Sequence, residues 1–282
     1  MAKQKNDEPQ FYTSVLNSEV LNYKVYKMSG IENLLYRILS VLAGGAVGLI
    51  FYGGLFKSVE GNATIATYIS NTVIFAGVGL ITMKIFIPLR QESLRQKRLS
   101  KLKTQFRDFL IAVAASLSSG MTVNNAFINV QRDLEIQYSD DALIVVEVNE
   151  IIDGIKNNIP VEDMLSDFGK RSGIDDISNF AIVFATCFRT GGNLKEVVRR
   201  TADIIGEKMV IAEEIKTKLT SNKMQMQVMN IIPIFLVLMM RVMSSEFAKG
   251  FASLIGVVAV SIGVTLFVVS YKLGQKIMNI EG

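Results

Sequence analysis

The sequence of 282 residues contains no histidine, no tryptophan and a single cysteine, Cys187. Without histidine, the chain can form neither a Ser-His-Asp or Cys-His triad nor a histidine-containing metal site. A single cysteine excludes an internal disulfide bond, a Cys-x-x-Cys redox pair and a cysteine-based zinc site. The sequence also lacks a phosphate-binding loop motif and the Gly-x-Gly-x-x-Gly fingerprint. These absences predict a protein that is not an enzyme and that uses no cofactor and no metal.

Half of the residues are hydrophobic, only 20% are charged, and the mean hydropathy of +0.34 is high for a water-soluble protein. Because about 20 helical residues cross a hydrocarbon core roughly 30 Å thick, long uncharged runs are predicted membrane spans. There are four such runs: Ile38 to Phe56, Gly61 to Met83, Met224 to Met240 and Gly250 to Tyr271. The third contains Asn230 and Pro233, so a buried core helix is the alternative for it.

The predicted spans pair into two hairpins, joined by loops 57–60 and 244–249, and the segments outside these loops carry more lysine and arginine. Since positive residues favour the cytoplasmic side, we expect a multi-pass protein of the cell (inner) membrane with both termini in the cytoplasm. The first apolar run begins too late, and lacks a convincing cleavage site, for a signal peptide. No acidic residue lies within a predicted span, which argues against a transporter.

The predicted fold class is an all-α membrane protein, with four transmembrane helices in two hairpins that flank a cytoplasmic six-helix bundle. The predicted domains are a cytoplasmic N-terminal segment (1–33), a first transmembrane hairpin (34–87), a cytoplasmic helical domain (88–226), a second transmembrane hairpin (227–272) and a cytoplasmic tail (273–282). Small faces for close helix packing are expected in the first hairpin at Gly44, Gly45, Gly48, Gly77 and Gly79.

Apolar residues at three- and four-residue spacing predict the six helices of the central domain, with glycine at the breaks. They are expected from about Leu94 to Ser118, from Thr122 to about Asp133, from Ser139 to Gly154, from Pro160 through Phe168, from Asp175 through Cys187, and onward from Asn193. Gly120 suits a helix end and Thr122 a helix start. The sixth helix could continue unbroken into the third span.

Charge is segregated along this domain. Twelve acidic and three basic residues lie between Asp133 and Asp176, whereas seven basic residues and one acidic residue lie between Arg90 and Arg107. We predict a membrane collar that contacts anionic lipid, formed by Arg90, Arg95, Lys97, Arg98 and Lys101. We also predict an acidic surface that faces a basic partner, formed by Glu162, Asp163 and Asp167. For any single charge, the alternative is an ordinary solvated helix face.

Other chemically suggestive residues have simpler interpretations. The pairs Asp140-Asp141 and Asp175-Asp176 are interpreted as helix-start acids that complement the helix dipole, rather than as cation ligands. Cys187 lies on an apolar helical face and is interpreted as a core residue. The methionine-rich stretch is either a pliable surface for partner helices or ordinary filling of a membrane bundle, and comprises Met224, Met226, Met229, Met239, Met240 and Met243.

The most specific stretch is the turn before the sixth helix, which contains Gly191, Gly192, Asn193, Leu194 and Glu196. Glycine can take the left-handed conformation that ends a helix, and the Asn-x-x-Glu spacing is typical of a helix start. Together with the long charged helix that follows and the Ile232-Pro233 pair, this turn resembles the type II secretion system F domain family (GspF-like), and most closely its TadB-like members of tight adherence pilus systems. The stretch Leu117-Ser118-Ser119-Gly120 and the basic ending Tyr271 to Ile277 are also similar to the family.

The resemblance covers about residues 100 to 280 and implies an inner-membrane platform of a type II secretion or type IV (Tad-like) pilus assembly machine. Such a platform couples a cytoplasmic secretion ATPase to the insertion of pilins into a filament. The implied partners are a hexameric secretion ATPase, a second, TadC-like F-domain protein, pilin subunits and the lipid bilayer, in a homo- or hetero-oligomer without nucleic acid. The alternatives are the TadC-like subunit itself and a small membrane transporter.

Overall fold

A computed structural model describes residues 9–56 and 63–280, so the predicted loop 57–60 lies outside the described residues. The chain divides into two compact units. Unit 1 contains residues 1–27 and 91–211, and unit 2 contains residues 28–90 and 212–282. Each unit is therefore assembled from two segments that are distant in the sequence.

The described residues form nine helices and one antiparallel pair of short strands. In chain order these are β1 (Phe11–Thr13), β2 (Glu19–Leu21), α1 (Gly30–Tyr52), α2 (Ile65–Ser118), α3 (Val123–Gln137), α4 (Leu143–Lys156), α5 (Val161–Ser172), α6 (Asp175–Thr190), α7 (Leu194–Met243), α8 (Ser245–Phe251) and α9 (Leu254–Ile280). Helices α2 and α7 each contribute residues to both units. The all-α membrane fold class is confirmed.

Helix α2 is longer than the sequence predicted. It is continuous over 54 residues, so the prediction of a separate helix beginning at Leu94 is wrong. Pro88 lies inside α2 and removes one backbone hydrogen bond, but the residues between Met83 and Leu94 include no glycine that would end the helix. By contrast, the prediction that the sixth helix runs unbroken into the third span is confirmed by the 50 residues of α7.

The bounds of α4 also differ from the prediction. Ser139 does not open this helix: its hydroxyl donates to Asp141 in a turn, and α4 begins only at Leu143. Gly154 does not close it either, because the helix continues to Lys156. A Cβ atom at position 154 would lie 2.8 Å from the Met164 side chain, so this glycine serves the close approach of α5 rather than a break.

Among the residues that the structure describes, four helices or helix segments are long and apolar enough to cross a membrane, as predicted. The first begins earlier than expected, at Gly30, because Ser29 and Glu32 form a capping box. It ends at Tyr52, where Gly53 is extended and Gly54 has a positive φ of 81°. The predicted loop 244–249 is largely replaced by the short helix α8.

The N-terminal residues form a β-hairpin that sequence patterning did not indicate. Strands β1 and β2 are antiparallel, with Phe11 opposite Leu21 and Thr13 opposite Glu19. Two serines of the connecting turn, Ser14 and Ser18, donate their hydroxyls to one carboxylate oxygen of Glu150 at 2.6 and 2.5 Å. The hairpin therefore packs as part of unit 1, held to α4.

Aromatic side chains form the centre of unit 1. Phe106 and Phe109 on α2 contact each other, with ring centroids 5.8 Å apart. Phe109 meets Phe127 of α3 at 5.4 Å, and Phe106 meets Phe180 of α6 at 5.6 Å. These four rings are at most 2% exposed. The cluster joins three helices that are separated in sequence. Because burial of each phenylalanine contributes about 1.5–3 kcal/mol to the stability of the fold, it holds these helices together.

In unit 2, the predicted small faces bring α1 and α2 together. Cβ atoms built at Gly44 and Gly45 would collide with Thr82 and Phe75, and one at Gly48 would lie 3.0 Å from Val78. Gly79 of α2 would place a Cβ atom 2.9 Å from the Val41 carbonyl oxygen, whereas Gly77 has open space around it. Four of the five predicted glycines therefore lie at this helix contact, and Gly77 does not.

The contrast between Gly79 and Gly77 provides a matched test of this contact. We expect Gly79→Ala to destabilise unit 2 by about 1–3 kcal/mol, because the new methyl group meets backbone atoms that cannot move aside. Gly77→Ala should be neutral or stabilising by up to about 1 kcal/mol, since alanine has the better helix propensity. Denaturation of both purified variants in detergent measures the difference, and equal midpoints would contradict the packing described.

Candidate partner-binding surfaces

A buried ion pair between Arg171 and Glu147 joins α5 to α4. The Arg171 guanidinium donates two hydrogen bonds to the two carboxylate oxygens of Glu147, at 2.9 and 2.7 Å. It also donates through Nε to Asp167 at 2.6 Å and through Nη1 to the Leu21 carbonyl oxygen at 3.2 Å. The Arg171 and Glu147 side chains are only 5% and 2% exposed. Burial lowers the pKa of Arg171, but the bonds to Glu147 and Asp167 outweigh it and raise the pKa, so the guanidinium stays charged.

The N-terminal segment completes this ion pair. The Tyr23 hydroxyl donates to Glu147 Oε1 at 2.8 Å, and the Tyr23 backbone N–H donates to the Arg171 carbonyl at 3.1 Å. Burial, and then the negative charge of Glu147, raise the pKa of Tyr23 far above its ordinary value, so the phenol remains protonated as a donor. Residues before the first membrane helix are therefore an integral part of unit 1.

Sequence analysis missed this cluster although two signals pointed to it. Glu147 occupies a position at apolar spacing between Ile144 and Ile151 on α4, where a charged residue is unusual. Arg171 follows Asp167 by four residues, the spacing of a helical ion pair. The tyrosine that completes the cluster lies more than 120 residues away from Glu147 in the sequence, and no pattern connects them.

Removing one member of the Arg171–Glu147 ion pair should destabilise the fold, because the remaining charge is left buried and unpaired. We expect Arg171→Met to destabilise the protein by about 3–5 kcal/mol. Arg132→Met provides the control, because Arg132 is exposed and should tolerate the same change within about 0.5 kcal/mol. Thermal unfolding of both variants in detergent checks this expectation, and similar midpoints would show that the ion pair does not stabilise unit 1.

A second ionic cluster joins three helices at the start of α6. Asp176 accepts from Lys103 of α2 at 2.7 Å and from Lys208 of α7 at 2.5 Å. Burial raises the pKa of Asp176, but the two lysines outweigh it and hold the pKa below its ordinary value. Asp175 and Asp176 both lie in the first turn of α6, whereas Asp140 and Asp141 lie in the turn before α4. No group of three or more potential metal-ligating side chains is found in the part of the chain that the structure describes.

The three residues of the predicted acidic surface lie in different environments. Asp163 is exposed at the start of α5. Glu162 is only 9% exposed, and its carboxylate lies 3.6 Å from Arg189. Asp167 is half-buried and bound to Arg171. A reversal of all three charges would therefore disturb the buried ion pair as well as the surface.

The predicted membrane collar has two kinds of members. Lys97 and Lys101 are exposed. The three arginines are half-buried and make local contacts. Arg90 donates to the Tyr36 hydroxyl at 3.0 Å, Arg95 pairs with Glu92 at 2.5 Å, and Arg98 stacks 4.3 Å above the Tyr26 ring. The arginines thus fix the chain around α2, and Lys97 and Lys101 are the exposed cations among these five residues.

The glycine-rich turn has the predicted geometry. Gly191 ends α6 with a φ of 69°, and the Gly192 N–H donates to the Cys187 carbonyl at 2.9 Å. Asn193 caps α7, since its side-chain oxygen accepts from the Glu196 N–H at 3.2 Å. The Glu196 carboxylate contacts Arg199 one turn further along. The turn, including the partly buried Leu194, thus aligns the antiparallel helices α6 and α7.

The positive φ of Gly191 can be tested because open space surrounds it, so only backbone conformation limits substitution. We expect Gly191→Val to cost about 1–2 kcal/mol and to lower the membrane level of the protein, since a β-branched residue resists positive φ. Gly191→Asn should be nearly neutral, because asparagine tolerates the left-handed region. Immunoblots of membranes and thermal unfolding compare the two variants, and equal levels and midpoints would contradict the assignment.

A cavity with a volume of about 630 Å³ lies in unit 2. Its lining is almost entirely apolar and includes Gly48, Pro233 and Phe251. Arg241 donates to the carbonyl oxygens of Leu49, Phe51 and Gly53 at 3.3, 2.9 and 2.8 Å. A cation at these carbonyl oxygens complements the C-terminal end of α1. The predicted methionine-rich stretch is largely exposed in this unit, with Met229 at 64% and Met239 at 47%.

The helices on both sides of the glycine-rich turn fall within a match to a known protein family. Residues 109–242 match the family model described as Type II secretion system (T2SS), protein F. The chain contains a T2SS F domain. The match begins within α2, covers α3 to α6 and ends within α7, and it accounts for just under half of the chain. No curated protein and no solved structure matches the chain significantly.

The F domain indicates, in general, a platform protein of a secretion or pilus assembly system, and such platforms are structural components rather than enzymes. Together with four helices able to span a bilayer, it identifies a multi-pass membrane protein. The resemblance seen in the Gly-Gly-Asn-Leu turn is thus confirmed at the level of the F domain.

Proposed function

We propose that this protein is an inner-membrane platform subunit of a type II secretion or type IV (Tad-like) pilus assembly machine. It couples a hexameric cytoplasmic ATPase to the insertion of pilins into a filament, in complex with a second, TadC-like F-domain protein. The observation that carries the proposal is the F domain at residues 109–242, since the match includes nearly all of the apolar span Met224–Met243 at the end of α7. Both termini and most of unit 1 would face the cytoplasm.

The exposed negative charge of unit 1 supports the proposal that its cytoplasmic partner is basic. The acidic stretch from Asp133 to Asp176 retains exposed carboxylates in the folded chain, among them Asp133, Glu135 and Asp163. Complementary charge accelerates and orients the encounter of two proteins. The contact with the ATPase would therefore weaken as salt concentration rises.

The apolar surfaces of the membrane-spanning helices support the proposal that they contact an apolar helix of a pilin. A pilin presents a hydrophobic helix to its assembly platform, and the apolar cavity of unit 2 has the lining that such a helix needs. The exposed methionines of α7 are unbranched and polarisable, so they can adapt to helices that move past them. A TadC-like role for the same chain is the second reading, and the Gly-Gly-Asn-Leu turn favours the TadB-like one.

Helix α7 provides the mechanical link, because one unbroken helix begins directly after the glycine-rich turn and ends in an apolar span. We expect Glu213→Pro to abolish filament assembly, since an interior proline removes a backbone bond and clashes with the preceding turn, at about 3 kcal/mol. Glu213→Ala keeps the helix and should support normal assembly. Glu213 is exposed, and within the described part of the chain it pairs with Lys216 alone, one turn away, so its side chain is dispensable.

The measurement is the amount of filament sheared from cells that express each variant at equal membrane levels, together with recovery of the ATPase on the tagged protein. We expect the proline variant to retain the ATPase and to lose the filament. Normal filaments in the proline variant would contradict coupling through α7.

A further inference from the structure

A cavity of about 410 Å³ lies in unit 1 beside the start of α5. Its lining residues come from α3, from the end of α4, from the α4–α5 connection, from α5 and from α6: Asn124, Ile155, Asn158, Ile159, Pro160, Val161, Glu162 and Phe188. Its volume falls in the usual range of small-ligand pockets, about 300–1,000 Å³. The lining combines aliphatic side chains with one carboxylate, one aromatic ring and two asparagine side chains.

The carboxylate of Glu162 is incompletely paired. Oxygen Oε2 is buried, and no hydrogen-bond donor among the described residues reaches it. Oxygen Oε1 lies 3.6 Å from Arg189 Nε, which is too long for a hydrogen bond, and the Arg189 side chain is 68% exposed. A buried carboxylate oxygen without a donor is energetically unfavourable, so a ligand that supplies the donor gains affinity from it.

Phe188 adds a second recognition element. Its ring is 42% exposed and stacks on the fully buried Phe184, with centroids 6.0 Å apart and ring planes 12° from parallel. This packing fixes the orientation of the ring. A fixed aromatic face beside a carboxylate is the arrangement that binds a guanidinium group, which stacks on the ring and donates to the oxygens.

We propose that this cavity binds an arginine side chain of a basic partner protein. The guanidinium donates to Oε2 of Glu162 and stacks on Phe188, while the methylene groups contact Ile159 and Pro160. A lysine would satisfy the charge but not the planar stacking. Phosphate-bearing ligands are repelled by the carboxylate, and a lone carboxylate does not provide the several oxygen ligands that a divalent cation requires.

Arg189 acts as a weak internal competitor for this site. It follows Phe188 on α6, and its Nε lies 3.6 Å from Glu162 Oε1. An incoming arginine displaces it into solvent, where most of its surface already lies. Removing Arg189 should therefore strengthen binding of an external arginine.

The identity of the partner as the secretion ATPase rests on the proposed function, whereas arginine binding is a property of this chain alone. The test uses the full-length protein in a non-ionic detergent and two probes, N-acetyl-arginine methylamide and its neutral isostere N-acetyl-citrulline methylamide. Saturation-transfer NMR titrations measure the dissociation constant of each. We expect the arginine probe to bind roughly tenfold more tightly than the citrulline probe.

Two variants that remove the same charge one residue apart provide the matched control. Glu162→Gln should abolish the preference for arginine, and Asp163→Asn should preserve it because Asp163 does not line the cavity. Arg189→Gln should tighten binding several-fold. Thermal midpoints establish that each variant is folded.

Equal binding of the two probes to the wild-type protein would overturn the proposal. Equal loss of affinity in Glu162→Gln and Asp163→Asn would do the same, since it would indicate diffuse attraction to the acidic surface. ATPase binding that is unchanged in Glu162→Gln would remove the cavity as the contact and leave the platform function standing. Arginine binding without any ATPase binding would keep the cavity and reject the proposed partner.

Discussion

The buried pair of Glu147 and Arg171 is the interaction on which unit 1 depends. It joins α4 to α5 and, through Tyr23 and the Leu21 carbonyl, fixes the N-terminal hairpin to the F domain. The pair is stable in the interior because each charge is hydrogen-bonded on several atoms, and it would be destabilising if either partner were lost. Unit 1 therefore combines helices of the F domain with residues that precede the first membrane helix.

As a result, the chain alternates between the two units along its sequence. The N-terminal segment belongs to unit 1, the chain then forms the first hairpin of unit 2, and α2 contributes residues again to unit 1. Helix α7 contributes to both units in the same way. Two unbroken helices thus contain residues of both the F domain and the spans. A displacement at one end of such a helix can be transmitted to the opposite end of the same helix.

Features governed by local chemistry could be predicted from the sequence. The four spans follow from long uncharged runs, and Gly191, Thr122 and Asn193 have the capping roles that their residue types favour. Long-range features could not be predicted. Gly154 resembled a helix break but makes room for Met164, and no local pattern around Arg241 indicates that it caps α1. In both cases the partner is supplied by the tertiary fold, and local spacing carries no information about it.

The most direct test of the account is affinity purification of the tagged full-length protein from native membranes in mild detergent, after chemical crosslinking, with identification of bound proteins by mass spectrometry. The account predicts recovery of a secretion ATPase together with a second F-domain protein. Recovery of the protein alone, after crosslinking that captures known neighbours of other membrane proteins in the same sample, would contradict a role as an assembly platform.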